Sequence, residues 1–253
     1  MCVVAVTTPW FAATDSPTAV ARLVCFPHAG GGVQAYRDWR RQLPPFVELT
    51  PVQLPGRDRR RDEPMPRSLV DLARPVAHAL AELSDLPLCL FGHSFGALTA
   101  FETARALRQI GGPTPVGLVV SGRVAPQLPY SGPDPSATDD RLVEAVLAYG
   151  GTPPEVAAEP DLLRLMVPVL RDDLTLLAGY RHRPQPPLSC PMLVLGGDRD
   201  PLTPSAGLAA WDVHTTSSCD VNILPGGHFF LHEGTQAVPP LMSWILDLLA
   251  RHH

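Results

Sequence analysis

Short apolar runs bounded by glycine and proline recur along the chain, at 23–26, 47–54, 88–91, 118–120, 192–195 and 221–224. Runs of that length between turn formers predict buried strands. Elsewhere the spacing of apolar residues becomes helical. Near the end, Leu241, Trp244, Ile245, Leu248 and Leu249 fall at i, i+3, i+4, i+7 and i+8 behind Pro239 and Pro240, which predicts a helix packed on a sheet face. Another helix is predicted to start at Ser68, whose hydroxyl and Asp71 form a capping box, and to run through Leu72, Val76, Leu80 and Leu83. Pro75 inside it predicts a kink.

Strands alternating with helices imply the α/β class, a mostly parallel sheet with helices on both faces. In such sheets ligands collect at the carboxyl ends of the strands, so active residues are expected just after strands. One interval breaks the rhythm. The stretch 122–191 is far longer than the roughly 30 residues a βαβ unit needs. It carries helical patterns at Leu142, Val143, Val146 and Leu147, and again at Leu162, Leu163, Leu165, Met166, Val169, Leu170, Leu174 and Leu177. These predict two or three amphipathic helices broken by Pro153, Pro154 and Pro168. We expect one domain over 1–253 with an inserted helical lid at 124–187 above the active edge, the alternative being extra core packing without a gating role.

Composition narrows the function. With 45% hydrophobic and 18% charged residues the chain can fill a core, which argues against disorder. The 30 prolines and 20 glycines stay below the fraction that marks low complexity and read as loop punctuation. A net charge of −5 supplies no field for nucleic acid or an acidic membrane surface. The charge-free stretch 86–101 contains His93, Ser94 and two glycines and is too short for a membrane span. The five cysteines, Cys2, Cys25, Cys89, Cys190 and Cys219, form no CxxC pair and do not cluster with histidines at metal-ligand spacing. A reducing cytoplasm is expected, because the first positive charge is Arg22 and the start therefore lacks the basic region of a signal peptide.

The chemistry is concentrated after the strands. The run 88–91 leads into Gly92-His93-Ser94-Phe95-Gly96 and then into a helical pattern. A strand, a tight turn and a helix around GxSxG make a nucleophile elbow, in which a Cβ at either glycine would meet backbone while Ser94 takes a strained conformation that exposes its Oγ. A serine hydroxyl is a weak nucleophile near neutral pH, so it requires an imidazole base and a carboxylate to orient that base. In the fold built on this elbow the chain order is serine, acid, histidine. After 192–195 comes Gly196-Gly197-Asp198-Arg199-Asp200-Pro201, and after 221–224 comes Pro225-Gly226-Gly227-His228. Asp200, farther out in its loop and fixed by Pro201, is the expected orienting acid. Asp198 is the reserve, expected to bond local amides instead. His228 is the expected base, with His93 pointing elsewhere and His214 and His232 lacking the position after the last strand. Two backbone amides are expected to hold the oxyanion, those of Phe95 and of Ala29 in the loop Pro27-His28-Ala29-Gly30-Gly31-Gly32. That loop is not a phosphate cradle, since no Lys-Ser/Thr follows at P-loop spacing.

These residues, with Cys25-Phe26-Pro27-His28, Pro55-Gly56-Arg57, Gly150-Gly151-Thr152-Pro153, Pro187-Leu188-Ser189-Cys190-Pro191 and Gly226-Gly227-His228-Phe229-Phe230-Leu231, resemble the type II thioesterases that accompany polyketide and nonribosomal peptide synthases. The likeness runs nearly end to end. It implies an α/β-hydrolase fold, a triad of Ser94, Asp200 and His228, and an insertion that covers a chamber for the acyl chain and an entry for a phosphopantetheine arm. It also implies acyl or peptidyl carrier proteins as partners, with small acyl thioesters as further substrates. The substrate carries the phosphopantetheine, and the enzyme requires no cofactor or metal. The sequence Arg171-Asp172-Asp173-Leu174 departs from the Arg-Ala-Asp more frequent in relatives and is expected to affect lid packing at most. The arginines Arg57, Arg59, Arg60 and Arg61 could meet an acidic carrier, but Asp58, Asp62 and Glu63 nearly balance them, and an ordinary solvated loop is the favoured reading. Three rivals stand beside hydrolysis of carrier thioesters: a carboxylesterase or lipase, a cyclising or acyl-transferring domain, and a non-catalytic binding module of the same fold. A chain beginning at Met1 without a fused synthase is expected to hydrolyse rather than cyclise. His252 and His253 are either native or the remnant of a tag.

Overall fold

In the computed structural model, residues 8–12, 16–83, 85–152, 154–231 and 238–251 are described. Cys2, Pro153, His232, His252 and His253, named above, lie outside them. Six strands, β1 (Ala21–Phe26), β2 (Val47–Pro51), β3 (Leu88–His93), β4 (Gly117–Ser121), β5 (Met192–Gly197) and β6 (Cys219–Leu224), form one sheet in the order β2-β1-β3-β4-β5-β6. Every neighbouring pair is parallel.

The alternation of side chains along each strand explains why the runs are continuously apolar. Val24, Phe26, Leu88, Leu90, Leu118, Val120, Met192 and Val194 face one buried cluster. Their neighbours Leu23, Cys25, Cys89, Phe91, Val119, Leu193 and Leu195 face the other. A strand covered on both faces has no polar side, so period-two polarity disappears from the sequence. The first face is covered by α2 (Leu69–Glu82) and α3 (Phe95–Gln109). The second is covered by Trp39 of the short helix α1 (Trp39–Gln42) and by Leu241, Met242 and Ile245 of α8 (Val238–Arg251). Strand β6 differs from the expectation of a buried strand: Val221 is 39% and Ile223 is 45% exposed. It forms an edge of the sheet, where only one neighbouring strand packs beside it.

Helix α2 starts at Ser68, whose Oγ accepts from the Asp71 amide at 3.1 Å. The reciprocal half of the capping box is replaced by a 2.7 Å bond from the Ser68 hydroxyl to the Asp71 carboxylate. Pro75 lies inside the continuous helix. Between β4 and β5 the long interval forms α4 (Asp139–Ala148), α5 (Pro154–Ala157) and α6 (Pro160–Gly179). Pro168 does not break α6 as expected, whereas α4 and α5 are separated as expected, with Pro154 opening α5. A proline at the first helical position leaves no hydrogen bond unmade, because that amide has no partner in any helix. Helix α6 joins the core through Val167, Leu170, Leu174 and Leu177, and its other face is exposed, with Leu165 at 74%. The short helix α7 (Ser205–Ala209) precedes β6. No helix of the described residues is long and apolar enough to cross a membrane.

Candidate active site

The turn from β3 into α3 leaves no room for a side chain on either flank of Ser94. A Cβ on Gly92 would lie 2.0 Å from the Gly96 carbonyl oxygen, and one on Gly96 would lie 2.0 Å from that of Phe26. Both contacts are with backbone, so glycine is required at each place. Ser94 itself sits at φ 56°, ψ −112°, a conformation costing on the order of 1–3 kcal/mol for a residue with a side chain. The surroundings enforce it: the Ser94 amide donates to the Ser121 carbonyl of β4 at 2.8 Å.

Two later loops converge on that serine. His228 Nε2 lies 3.0 Å from Ser94 Oγ, and His228 Nδ1 lies 2.8 Å from Asp200 Oδ2. Asp200 also accepts from the Thr203 hydroxyl at 2.7 Å and from the Leu202 amide at 2.9 Å. Burial alone would raise its pKa, but the bonds from His228, Thr203 and Leu202, together with the attraction of His228, outweigh it and hold the carboxyl below its ordinary range. The acid is therefore ionised whenever the imidazole needs orienting. Asp198 does not bond local amides as expected. Its Oδ1 accepts from the Gly226 amide at 2.8 Å, across from the β5 loop to the β6 loop. With the bonds from the Asp198 amide to Leu224 and from the Arg199 amide to Gly226, this ties the loop carrying the acid to the loop carrying the imidazole.

His93 does not reach Ser94 through a hydrogen bond. Its Nδ1 pairs with Ser121 Oγ at 3.0 Å, and its ring packs against that of His228 with centroids 5.0 Å apart. His214 is a core residue, held to Gln127 at 2.6 Å and pushed down to about 4 by burial and the nearby His182 and Arg105. None of the described thiols competes as nucleophile. Burial raises Cys25 and Cys89 well above the usual thiol range and pushes Cys190 up to about 11.

Ser94, His228 and Ala29 face one cavity of about 400 Å³. Among the described residues the amides of Ala29 and Phe95 donate to no protein group. The Phe95 ring is fully buried in the core. The insertion supplies the opposite wall: Val143, Val146, Leu163, Met166, Val167 and Leu170 line the same cavity. Tyr149, absent from the sequence reasoning, places its ring 5.6 Å from that of His228. No local motif marks it.

The arginine loop corrects the sequence reading. Arg57 and Arg60 are buried instead of solvated, each 7% exposed. Arg60 pairs with Glu63 at 2.6 Å and stacks on Trp10 at 3.8 Å. Arg57 pairs with Asp173 of α6 through Nη2 at 2.6 Å and Nη1 at 2.8 Å. The same Asp173 accepts from the Gly30 amide at 2.8 Å, and Arg57 Nη1 also donates to the Gly31 carbonyl at 2.8 Å. Asp173 therefore touches the expected oxyanion loop and does more than pack the insertion.

The thioesterase domain family matches residues 21–247. The chain is 40% identical over 219 residues to "Thioesterase PikA5" of Streptomyces venezuelae, covering 86% of this chain and 78% of the relative. Among solved structures it superposes with TM-score 0.85 on the RedJ thioesterase of the prodiginine biosynthetic pathway in Streptomyces coelicolor, at 38% identity over 96% of each chain. The type II thioesterase YbtT of the yersiniabactin NRPS/PKS biosynthetic pathway superposes with TM-score 0.77 at 33% identity, covering 92% of this chain and 93% of that one.

Proposed function

The chain belongs to the thioesterase domain family and is an α/β-hydrolase-fold enzyme acting on thioesters, and from this premise we propose that it hydrolyses acyl groups from the phosphopantetheine arm of carrier proteins. Polyketide and nonribosomal peptide synthases are the assemblies it serves, as the pathways of its relatives suggest. The observation that carries the mechanism is the unbroken chain of bonds from Asp200 through His228 to Ser94. Ser94 Oγ attacks the thioester carbonyl as His228 Nε2 takes its proton, and Asp200 stabilises the imidazolium without being protonated. The Ala29 and Phe95 amides receive the developing oxyanion, each such donor contributing roughly 3–4 kcal/mol in a water-poor site. The His228 imidazolium gives its proton to the sulfur as the intermediate collapses and expels the phosphopantetheine thiol, which leaves readily because thiols titrate near about 8.5. His228 then draws a proton from water, which attacks the acyl-serine and frees the carboxylic acid and the serine. No step calls on a metal or a redox cofactor.

The apolar wall built by α4 and α6 supports an acyl chain as the bound group, with the insertion acting as a lid over it. Such an enzyme works in the cytoplasm beside its synthase, where the free thiols of Cys25, Cys89, Cys190 and Cys219 stay reduced. The discriminating experiment sets a panel of acyl-carrier thioesters, short to long, against oxygen esters of the same acyl groups. The proposal expects kcat/KM to favour the carrier thioesters by at least about tenfold, more than 1.4 kcal/mol of selectivity. Equal or better turnover of the oxygen esters would make the enzyme a general esterase.

A further inference from the structure

The glycine loop after β1 is anchored at its C-terminal end by the turn that follows β2. Arg57 Nη1 donates to the Gly31 carbonyl at 2.8 Å. Asp58, itself at φ 51°, accepts from the Val33 amide at 3.0 Å. Between Ala29 and Gly31, the Gly30 amide is taken by Asp173, whose side chain is completely buried. Gly30 adopts φ +75°, and a Cβ there would lie 3.5 Å from Leu170 of the same helix α6. The carboxylate thus receives three bonds, two from the arginine fork and one from the amide next to Ala29.

A buried ion pair is weak evidence for added stability, because desolvation of two charges offsets their attraction. Its geometric content is another matter. A planar fork bonded to a carboxylate fixes orientation as well as distance, which a single lysine would not do. We propose that Arg57 and Asp173 act together as a positioning device that aims the Ala29 amide at the reacting carbonyl and makes that aim depend on α6 being seated. The oxyanion loop is then complete only while the lid helix is docked, so the helix that walls the acyl cavity also sets the rate of the chemical step. This inference rests on the hydrolytic reading given above.

The test uses the full chain and a short acyl thioester, propionyl N-acetylcysteamine, whose acyl group is too small to need the lid wall. Three variants remove the device in different ways: Asp173→Asn, Arg57→Lys, and the apolar double replacement Arg57→Met with Asp173→Leu, which leaves no buried charge unpaired. Arg171→Ala is the control, because it removes another arginine pairing of α6, to Pro135, Ala137 and Asp139, while the Arg57–Asp173 pair and the core contacts of Val167, Leu170 and Leu174 keep the helix seated on the glycine loop. The expected result is a kcat lowered about tenfold to a hundredfold in all three variants, with KM within about threefold of the parent. The apolar double variant keeps a near-parental Tm, and Arg171→Ala keeps its kcat. Affinity for a propyl trifluoromethyl ketone, which forms a tetrahedral adduct on the serine, falls in proportion to kcat. Unchanged kcat in the folded apolar variant, or a rise in KM alone, overturns the proposal. Absence of turnover by the parent enzyme would instead bring down the hydrolytic reading itself.

Discussion

The loops after β5 and β6 hold Asp200 and His228 through bonds made between those two loops, chiefly from the Gly226 amide to Asp198 and from His228 to Asp200, each spanning 28 residues. The glycine loop after β1 is held by Arg57 and by an aspartate 116 residues beyond that arginine, on a helix of the insertion. The acid and imidazole are thus products of the sheet, whereas the oxyanion loop depends on an element laid over it. Bonds between loops at adjacent strand ends hold the proton-transfer groups to each other. The electrophilic side of the site is the part that the insertion can adjust.

Replacing the orienting acid should have the largest effect on this contrast. Asp200→Asn is expected to lower kcat about 10⁴-fold by favouring the wrong imidazole tautomer, as measured on any accepted thioester. The same substitution removes an acid limb of stability. Because the Asp200 carboxyl is held below its ordinary value when folded, its contribution is fully present above about pH 3.9 and is lost as pH falls through the folded-state value. Thermal melting against pH should therefore show a steeper acid decline in the parent than in the variant. Asp198→Ala should have a smaller effect. It removes one loop-to-loop bond from a half-exposed carboxylate, costing about 1 kcal/mol of stability and less than about tenfold in kcat. A kcat loss equal to that of Asp200→Asn would reverse the assignment of the two acids.

How far the sequence discloses each region follows from the range of the interactions that build it. The elbow is legible because its motif lies within five residues between a strand and a helix, although only the demand on Gly92 is local: its Cβ would meet Gly96, whereas that of Gly96 would meet Phe26 of β1. His228 is found because a glycine-preceded histidine after the last strand leaves little choice. Arg57 is misread because its neighbours Asp58, Asp62 and Glu63 offer local charge balance, while its actual partner, Asp173, lies on a helix whose docking no local pattern reports. Pro-Gly-Arg and Arg-Asp-Asp are both visible as motifs, but nothing in the sequence joins them. The exposure of β6 escapes for a similar reason, since an edge position is decided by strand order and not by the composition of the strand. Tyr149 reaches His228 only through the fold of the insertion.

The most direct test of the account is to trap the acyl-enzyme. The parent is mixed with an acyl N-acetylcysteamine thioester, quenched in acid within the first turnover and digested for peptide mass mapping. The account predicts an added acyl mass on the peptide containing Ser94, appearing with one equivalent of thiol and disappearing as free acid accumulates. Hydrolysis with no adduct on that serine, or an adduct on another side chain, would contradict it.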